Sequence, residues 1–415
     1  MKTMIREIYM ERYGKVVLLL MALLIAIPFF SGMSTVSGWH AQNDYYHSKE
    51  FIDDYNAYPE NYAKDYHFDE ATQQETTTLY DSIADFREGN LDFYVGSMDK
   101  YLPTYQEQRD NRFTIYSDAS QQPEHGTYQR GVIYFSNWEY SQTASLIIFA
   151  MFVIGFLLFF IDQKTNFNRF LFSLPVKRHS LFRSKLTLVV APMLASLFVG
   201  VLMNRLVVFL RIPHESLQAT LPQLLYSGLS YFVLAATFLA VGIFFGNLLG
   251  NLVSGPLVSA IGLYILAMSV YNFYDGLNNV ITYFFPTVHF FQLWGLLITQ
   301  PGKTGSPIWM LVALLVFSLV LLWMAERLYQ RVSMEHDGEF VLVPKVKLIT
   351  ALALFIGWNL YFTVGNIFSS IFFTGYSTSK EDILWILIQI LLVFLVSFGL
   401  VYTGDLRKRW LSRRA

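Results

Sequence analysis

Residues 162–185 read Asp162-Gln-Lys-Thr-Asn-Phe-Asn-Arg-Phe-Leu-Phe-Ser-Leu-Pro-Val-Lys-Arg-His-Ser-Leu-Phe-Arg-Ser-Lys185. The stretch is too polar to cross a bilayer and too apolar for a solvated linker. Phe167, Phe170, Leu171 and Leu174 recur at helical spacing and predict one apolar face. Pro175 ends that helix, because proline has no N–H to donate and disfavours helical backbone in the residue before it. Lys177, Arg178 and His179 follow, and a second short helix leads to Lys185. On either side lie the apolar runs Ala144–Ile161 and Thr187–Leu210, each close to the roughly 20 residues that cross a ~30 Å hydrocarbon core. The local reading is two membrane helices joined by a short amphipathic helix. Such a helix suits either a protein groove or the lipid surface.

Six further runs have the same character: Val16–Val36, Leu224–Phe245, Leu252–Tyr271, Ile308–Met324, Leu348–Phe373 and Ile383–Tyr402. The expected fold is therefore mainly α, a polytopic membrane protein with about eight transmembrane helices. A ninth apolar stretch, residues 277–300, is interrupted by Pro286 and His289 and reads as a broken outer segment. Irregular backbone at membrane depth is tolerated where protein or water covers it. Composition agrees: 54% of the 415 residues are hydrophobic and only 15% are charged, against about a quarter charged in soluble chains.

The net charge of −1 conceals a division. Residues 38–143 hold 19 Asp/Glu and 7 Lys/Arg, and the rest of the chain holds 12 and 23. Bases crowd residues 1–15, 162–186, 327–347 and the tail, 19 in all, whereas the short opposite loops carry only Arg211, Lys303 and Lys380. Basic loops stay cytoplasmic, so both termini are expected inside a cell membrane and residues 38–143 outside. This placement also explains the bases without nucleic acid. Residues 1–13 put Met1, Met4, Ile5, Ile8 and Tyr9 on one face and predict an amphipathic elbow on the inner leaflet. The first apolar run is long for a signal peptide and lacks an A-x-A site, so it is expected to be retained.

The acidic segment holds 14 of the 26 tyrosines, with Trp39 and Trp138 near its ends. It predicts a soluble α+β domain inserted between the first two spans, with a helix over Glu70–Glu88 and strands at Arg112–Tyr116 and Gly131–Phe135. The domain plan is then elbow and first span over 1–37, outer domain 38–143, core spans 144–326, linker 327–347, and two last spans with a basic tail over 348–415.

Chemistry-bearing motifs are few. Without cysteine there are no disulfides or thiolate sites. Gly302-Lys303-Thr304 lacks the glycine a phosphate loop needs at position 297, which is Leu, and His214-Glu215 has Gln218 where a zinc protease needs its second His. His40, His47, His67 and His125 lack ligand spacing, so no metal site is expected. Gly242, Gly246 and Gly250 suit close helix packing. Asn204, Arg205 and Asn359 are polar groups inside apolar runs and are the candidates for a transport path.

The segment Phe170-Leu-Phe-Ser-Leu-Pro-Val-Lys-Arg178, followed by Ser184-Lys185, resembles the coupling-helix region of ABC-2 type permeases. The order of elements through residue 326 is similar to that family, and Leu328–Glu339 resembles the segment after the core in some Gram-positive members with a large extracellular domain. The last two helices depart from the minimal family pattern. The resemblance implies the permease subunit of an ABC exporter, moving a peptide, lipid or cell-wall-related substrate outward. It implies a separate cytoplasmic ATPase that carries ATP and Mg, with no cofactor bound by this chain and no catalysis in it. A second permease chain, the same or paralogous, would complete the path. The coupling helix would cover residues 163–180, with Phe167, Phe170, Leu171, Phe172, Leu174 and Pro175 docking and Arg169, Lys177 and Arg178 pairing with acids. The residues alone leave two alternatives: a secondary transporter, or a membrane-anchored sensor or binding protein acting through residues 38–143.

Overall fold

The computed structural model describes residues 2–62, 65–69, 74–91, 94–95, 133–135, 141–217, 220–267, 304–305, 308–332, 338–359 and 380–412. In chain order the helices are α1 Lys2–His47, α2 Lys49–Ala57, α3 Ile83–Leu91, α4 Ser141–Lys164, α5 Phe167–Ser173, α6 Arg178–Lys185, α7 Ala191–Arg211, α8 Leu221–Leu248, α9 Ser254–Ala267, α10 Ile308–Arg331, α11 Lys347–Asn359 and α12 Lys380–Ser412. A π-helical turn, Leu186–Val190, joins α6 to α7. Among the described residues six helices are long and apolar enough to cross a membrane: Thr3–His47, Thr143–Lys164, Arg178–Arg211, Leu221–Leu248, Met310–Arg331 and Leu384–Leu406. The chain is a mainly helical, multi-pass membrane protein. These six coincide with six of the eight expected spans. The other two correspond to α9 and α11, each described only in part, and residues 277–300 lie outside the described residues.

The first expected break is absent. Residues 1–13 are not a separate elbow: α1 runs unbroken for 46 residues and continues past Trp39 to His47. Gly14 alone does not interrupt a helix, and Ile5, Tyr9, Tyr13 and Val17 are buried in the bundle core at helical spacing. Beyond the apolar part, Tyr46, Phe51, Tyr55, Phe86 and Leu91 form a small aromatic core with α2 and α3. Ser48 caps α2, accepting from the Phe51 N–H. The helix expected over Glu70–Glu88 is replaced by strand Gln74–Thr78 and then α3; Thr76, Thr77 and Thr78 favour extended backbone. That strand pairs antiparallel with Asp65–Asp69, and a second antiparallel set joins Tyr94–Val95, Ile133–Phe135 and Thr304–Gly305. The strand expected at Arg112–Tyr116 lies outside the described residues.

Close approach of α4 and α8 explains the glycine spacing. A Cβ at Gly242 or Gly246 would overlap the carbonyl of Phe152 or Phe156, and one at Gly155 would overlap that of Leu239. Gly250 serves another contact. Residues 338–343, expected in a cytoplasmic linker, are folded into the bundle instead. Phe340, Val341, Leu342 and Val343 are all buried. Gly250 N–H donates to the Phe340 carbonyl (3.0 Å) and Leu342 N–H to the Leu248 carbonyl (3.1 Å). The second bond satisfies a carbonyl that the end of α8 would otherwise leave open. A side chain at Gly250 would collide with Leu342. Lys347 holds this segment to α12, with Nζ 2.8 Å from both Glu339 and Asp405 carboxylate oxygens.

Candidate functional site

The quoted stretch folds as a helix, a proline stop and a second helix. Asn166 opens α5 with φ 58°, a left-handed conformation that Asn tolerates better than most residues. Leu174 closes it in extended backbone (ψ 146°), as the following proline demands. Seven residues give α5 two faces. Leu171 is 1% exposed, and Phe167, Phe172 and Leu174 pack against the main core. Phe167 meets the rings of Tyr9 and Tyr13 of α1, and Phe172 meets Tyr329 of α10. On the other face Arg169, Phe170, Ser173, Pro175 and Lys177 are exposed, Phe170 at 48%. The expected docking set therefore divides. Phe167, Leu171, Phe172 and Leu174 hold the element to its own bundle, because α1 and α10 supply an apolar seat for that face. Phe170, with Pro175, Arg169 and Lys177, is presented outward.

Arg178 also belongs to the bundle. Its Nη1 donates to the carbonyls of Gln330 (3.0 Å) and Val332 (2.8 Å), and its guanidinium lies 4.1 Å from the Phe172 ring centroid. It caps the end of α10, where open carbonyls and the helix dipole favour a cation. Arg183 adds an ion pair to Glu326 at 3.1 Å.

Beneath this element lies a buried polar cluster that the sequence did not single out. Lys185 Nζ is 2.5 Å from Asp162 Oδ2, with both side chains at most 2% exposed. Lys185 donates also to the Tyr13 hydroxyl (3.2 Å) and to the Leu158 carbonyl, which accounts for all three of its protons. The Tyr13 hydroxyl donates to Asp162 Oδ1, and Arg12 Nε lies 3.7 Å from the same oxygen. Arg12 Nη2 donates to Thr165 (2.7 Å), and the Tyr9 hydroxyl donates to the Leu181 carbonyl (3.1 Å). The N-terminal turns of α1, the end of α4 and the end of α6 are thus locked together. The available signal was that an acid and a base bracket the stretch, one helix end each.

The three transport-path candidates are not brought together. Asn204, on α7, donates through Nδ2 to the Pro28 carbonyl of α1 (2.8 Å). Arg205, on α7, is 3% exposed and packs against Gly228 of α8. Asn359, on α11, donates to the Phe355 carbonyl of its own helix (2.8 Å). Comparison with family models, curated proteins and solved structures returned no match. Among the described residues no group of His, Asp and Glu could hold a metal ion.

Proposed function

We propose that this chain is the membrane-spanning permease subunit of an ABC-2 type exporter, with α5 as the element that docks a separate cytoplasmic ATPase. The observation that carries the reading is Phe170: an aromatic side chain 48% exposed in the middle of a short helix whose opposite face is anchored in the bundle. Arg169 and Lys177 flank it, so the complementary surface is an apolar groove rimmed by acids. An anchored docking helix passes force from a partner into α1, α4 and α10. Nucleotide and Mg would sit on the partner, and a second permease chain would complete the path. Both termini are cytoplasmic in this reading and residues 38–143 are extracellular; the 19-to-3 division of bases supports this.

The test is a pull-down of tagged full-length chain from its native membranes, scored for an ATP-hydrolysing partner. Wild type retains it and Phe170→Asp loses it, while both insert equally. Equal recovery by the two chains excludes α5 as the docking element.

A further inference from the structure

Two ordered clusters, far apart, sit on one helix. Tyr9 and Tyr13 of α1 are buried in the polar clamp with Asp162, Lys185 and the Leu181 carbonyl. At the other end, Trp39 Nε1 donates to the Leu91 carbonyl of α3 (2.8 Å), and Arg87 Nε donates to the Tyr46 carbonyl (2.9 Å). Tyr46 also packs on Phe51 and Phe86. Tyr13 and Tyr46 belong to the same unbroken helix, which sets them roughly 50 Å apart along its axis at about 1.5 Å per residue.

A helix this long transmits a tilt or shift only if it does not bend between its ends. Its weak point is Pro28, which removes the N–H that would bond the Leu24 carbonyl. Sharp kinks form at such places. Here α7 covers the break. Gly200 lies against the Leu24 carbonyl so closely that a Cβ would overlap it, and that Cβ would stand 3.1 Å from the Pro28 ring. One turn along, Asn204 Nδ2 donates to the Pro28 carbonyl at 2.8 Å. Gly32 leaves room for it, since a Cβ there would stand 3.1 Å from that nitrogen.

We infer that α1 is a braced strut that couples the α2–α3 aromatic unit to the clamp beneath α5, and that Asn204 is the positioning residue that splints it at Pro28. Under the docking reading, on which this consequence rests, whatever binds beside α2 and α3 alters the pose of Phe170. By linkage, a partner bound at Phe170 alters affinity at the α2–α3 unit by the same factor. The strut itself requires no partner and is tested on the chain alone.

The experiment is hydrogen exchange on the purified full-length chain in lipid nanodiscs, read at residues 49–57 and 83–91. Distant sites without a connection behave independently. Tyr13→Phe removes one hydroxyl from the clamp, and the strut predicts faster exchange in both far helices, by roughly five-fold or more, the lower range of site-to-site coupling. Asn204→Leu alone accelerates the same peptides, and in that background Tyr13→Phe adds nothing there. If Tyr13→Phe does not insert, Arg12→Gln perturbs the same clamp from its half-exposed side. A change confined to residues near 13, 162 and 185 overturns the strut. Equal effects of Tyr13→Phe with and without Asn204 overturn the splint. Loss of the ATPase in the pull-down bears on neither outcome, so the two readings fail separately.

Discussion

Lys185 Nζ and Asp162 Oδ2 lie 2.5 Å apart, both buried, and these residues are the two ends of the polar stretch between the second and third spans. The stretch is closed at its base like a loop with its ends tied. An ion pair in this setting contributes little net stability over apolar residues of the same shape, since both charges lose their hydration. Its effect is on geometry, because a shifted α6 would leave a buried charge without its counter-ion.

Single and double replacements separate these roles. Lys185→Met or Asp162→Leu alone should destabilise the chain by about 3–5 kcal/mol, because each leaves one buried charge. The double variant should recover most of that loss. Thermal unfolding followed by size-exclusion of the detergent-solubilised chain measures it; additive losses would contradict the pairing.

Arg178 is expected to act on α10 rather than on a partner. Arg178→Ala opens the carbonyls of Gln330 and Val332, at a cost of about 1.5–3 kcal/mol for hydrogen bonds from a charged donor. Hydrogen exchange at residues 327–332 should rise, and recovery of the ATPase should fall less than with Phe170→Asp.

Gly250→Leu tests the folded segment 338–343. The new side chain collides with Leu342, and overpacking of this kind costs about 1–3 kcal/mol or more. The segment should become a site of limited proteolysis that wild type does not show. Gly262→Leu, where a Cβ meets nothing within 4 Å, should leave the pattern unchanged.

Much of this plan was legible in the sequence, and the failures share a cause. Long apolar runs report spans directly, because crossing a bilayer needs length and apolarity whatever the neighbours are. The helix–proline–helix reading of 167–185 was equally local. What escaped depends on partners distant in the chain. Lys185 reads as one more loop base until the loop folds back and buries it against Asp162. Arg178 reads as a free cation until the end of α10 is placed beside it. Phe340-Val-Leu-Val343 is too short to stand out, and only the open carbonyl of Leu248 explains its seat. The apolar face of α5 is legible only in part. Phe167, Leu171 and Leu174 turn inward as their spacing predicts, but Phe170 is presented outward and Phe172 packs inward in its place. An amphipathic pattern also does not say whether the apolar face meets a partner or the protein itself. Helix α1 was divided at its change of polarity, whereas backbone continuity follows from the lack of any breaker near Gly14.

The aromatic unit at the far end of α1 offers a pH signature. The Tyr62 hydroxyl donates to an Asp54 carboxylate oxygen, and that carboxylate pushes the phenol up to about 12, with burial and its charge adding to the effect. A pKa raised on folding contributes stability that is complete below the ordinary tyrosine value of about 10. That stability is lost as pH rises through about 12. Asp54→Asn should therefore add one tyrosinate to the absorbance near pH 11, about midway between those values, and Tyr62→Phe should abolish the difference. Identical titrations of wild type and Asp54→Asn would remove the assignment.

The most direct test of the docking role is photo-crosslinking from position 170. A photoreactive phenylalanine analogue replaces Phe170 in the otherwise native chain and is activated in intact cells. Phe149, exposed in the middle of α4, is the control and should yield lipid adducts alone. The account predicts that position 170 captures a cytoplasmic protein that hydrolyses ATP, in a 1:1 adduct that disappears when Arg169 and Lys177 are both changed to Glu. Lipid adducts at position 170, the same as at 149, would contradict it and leave α5 as a helix that rests on the membrane.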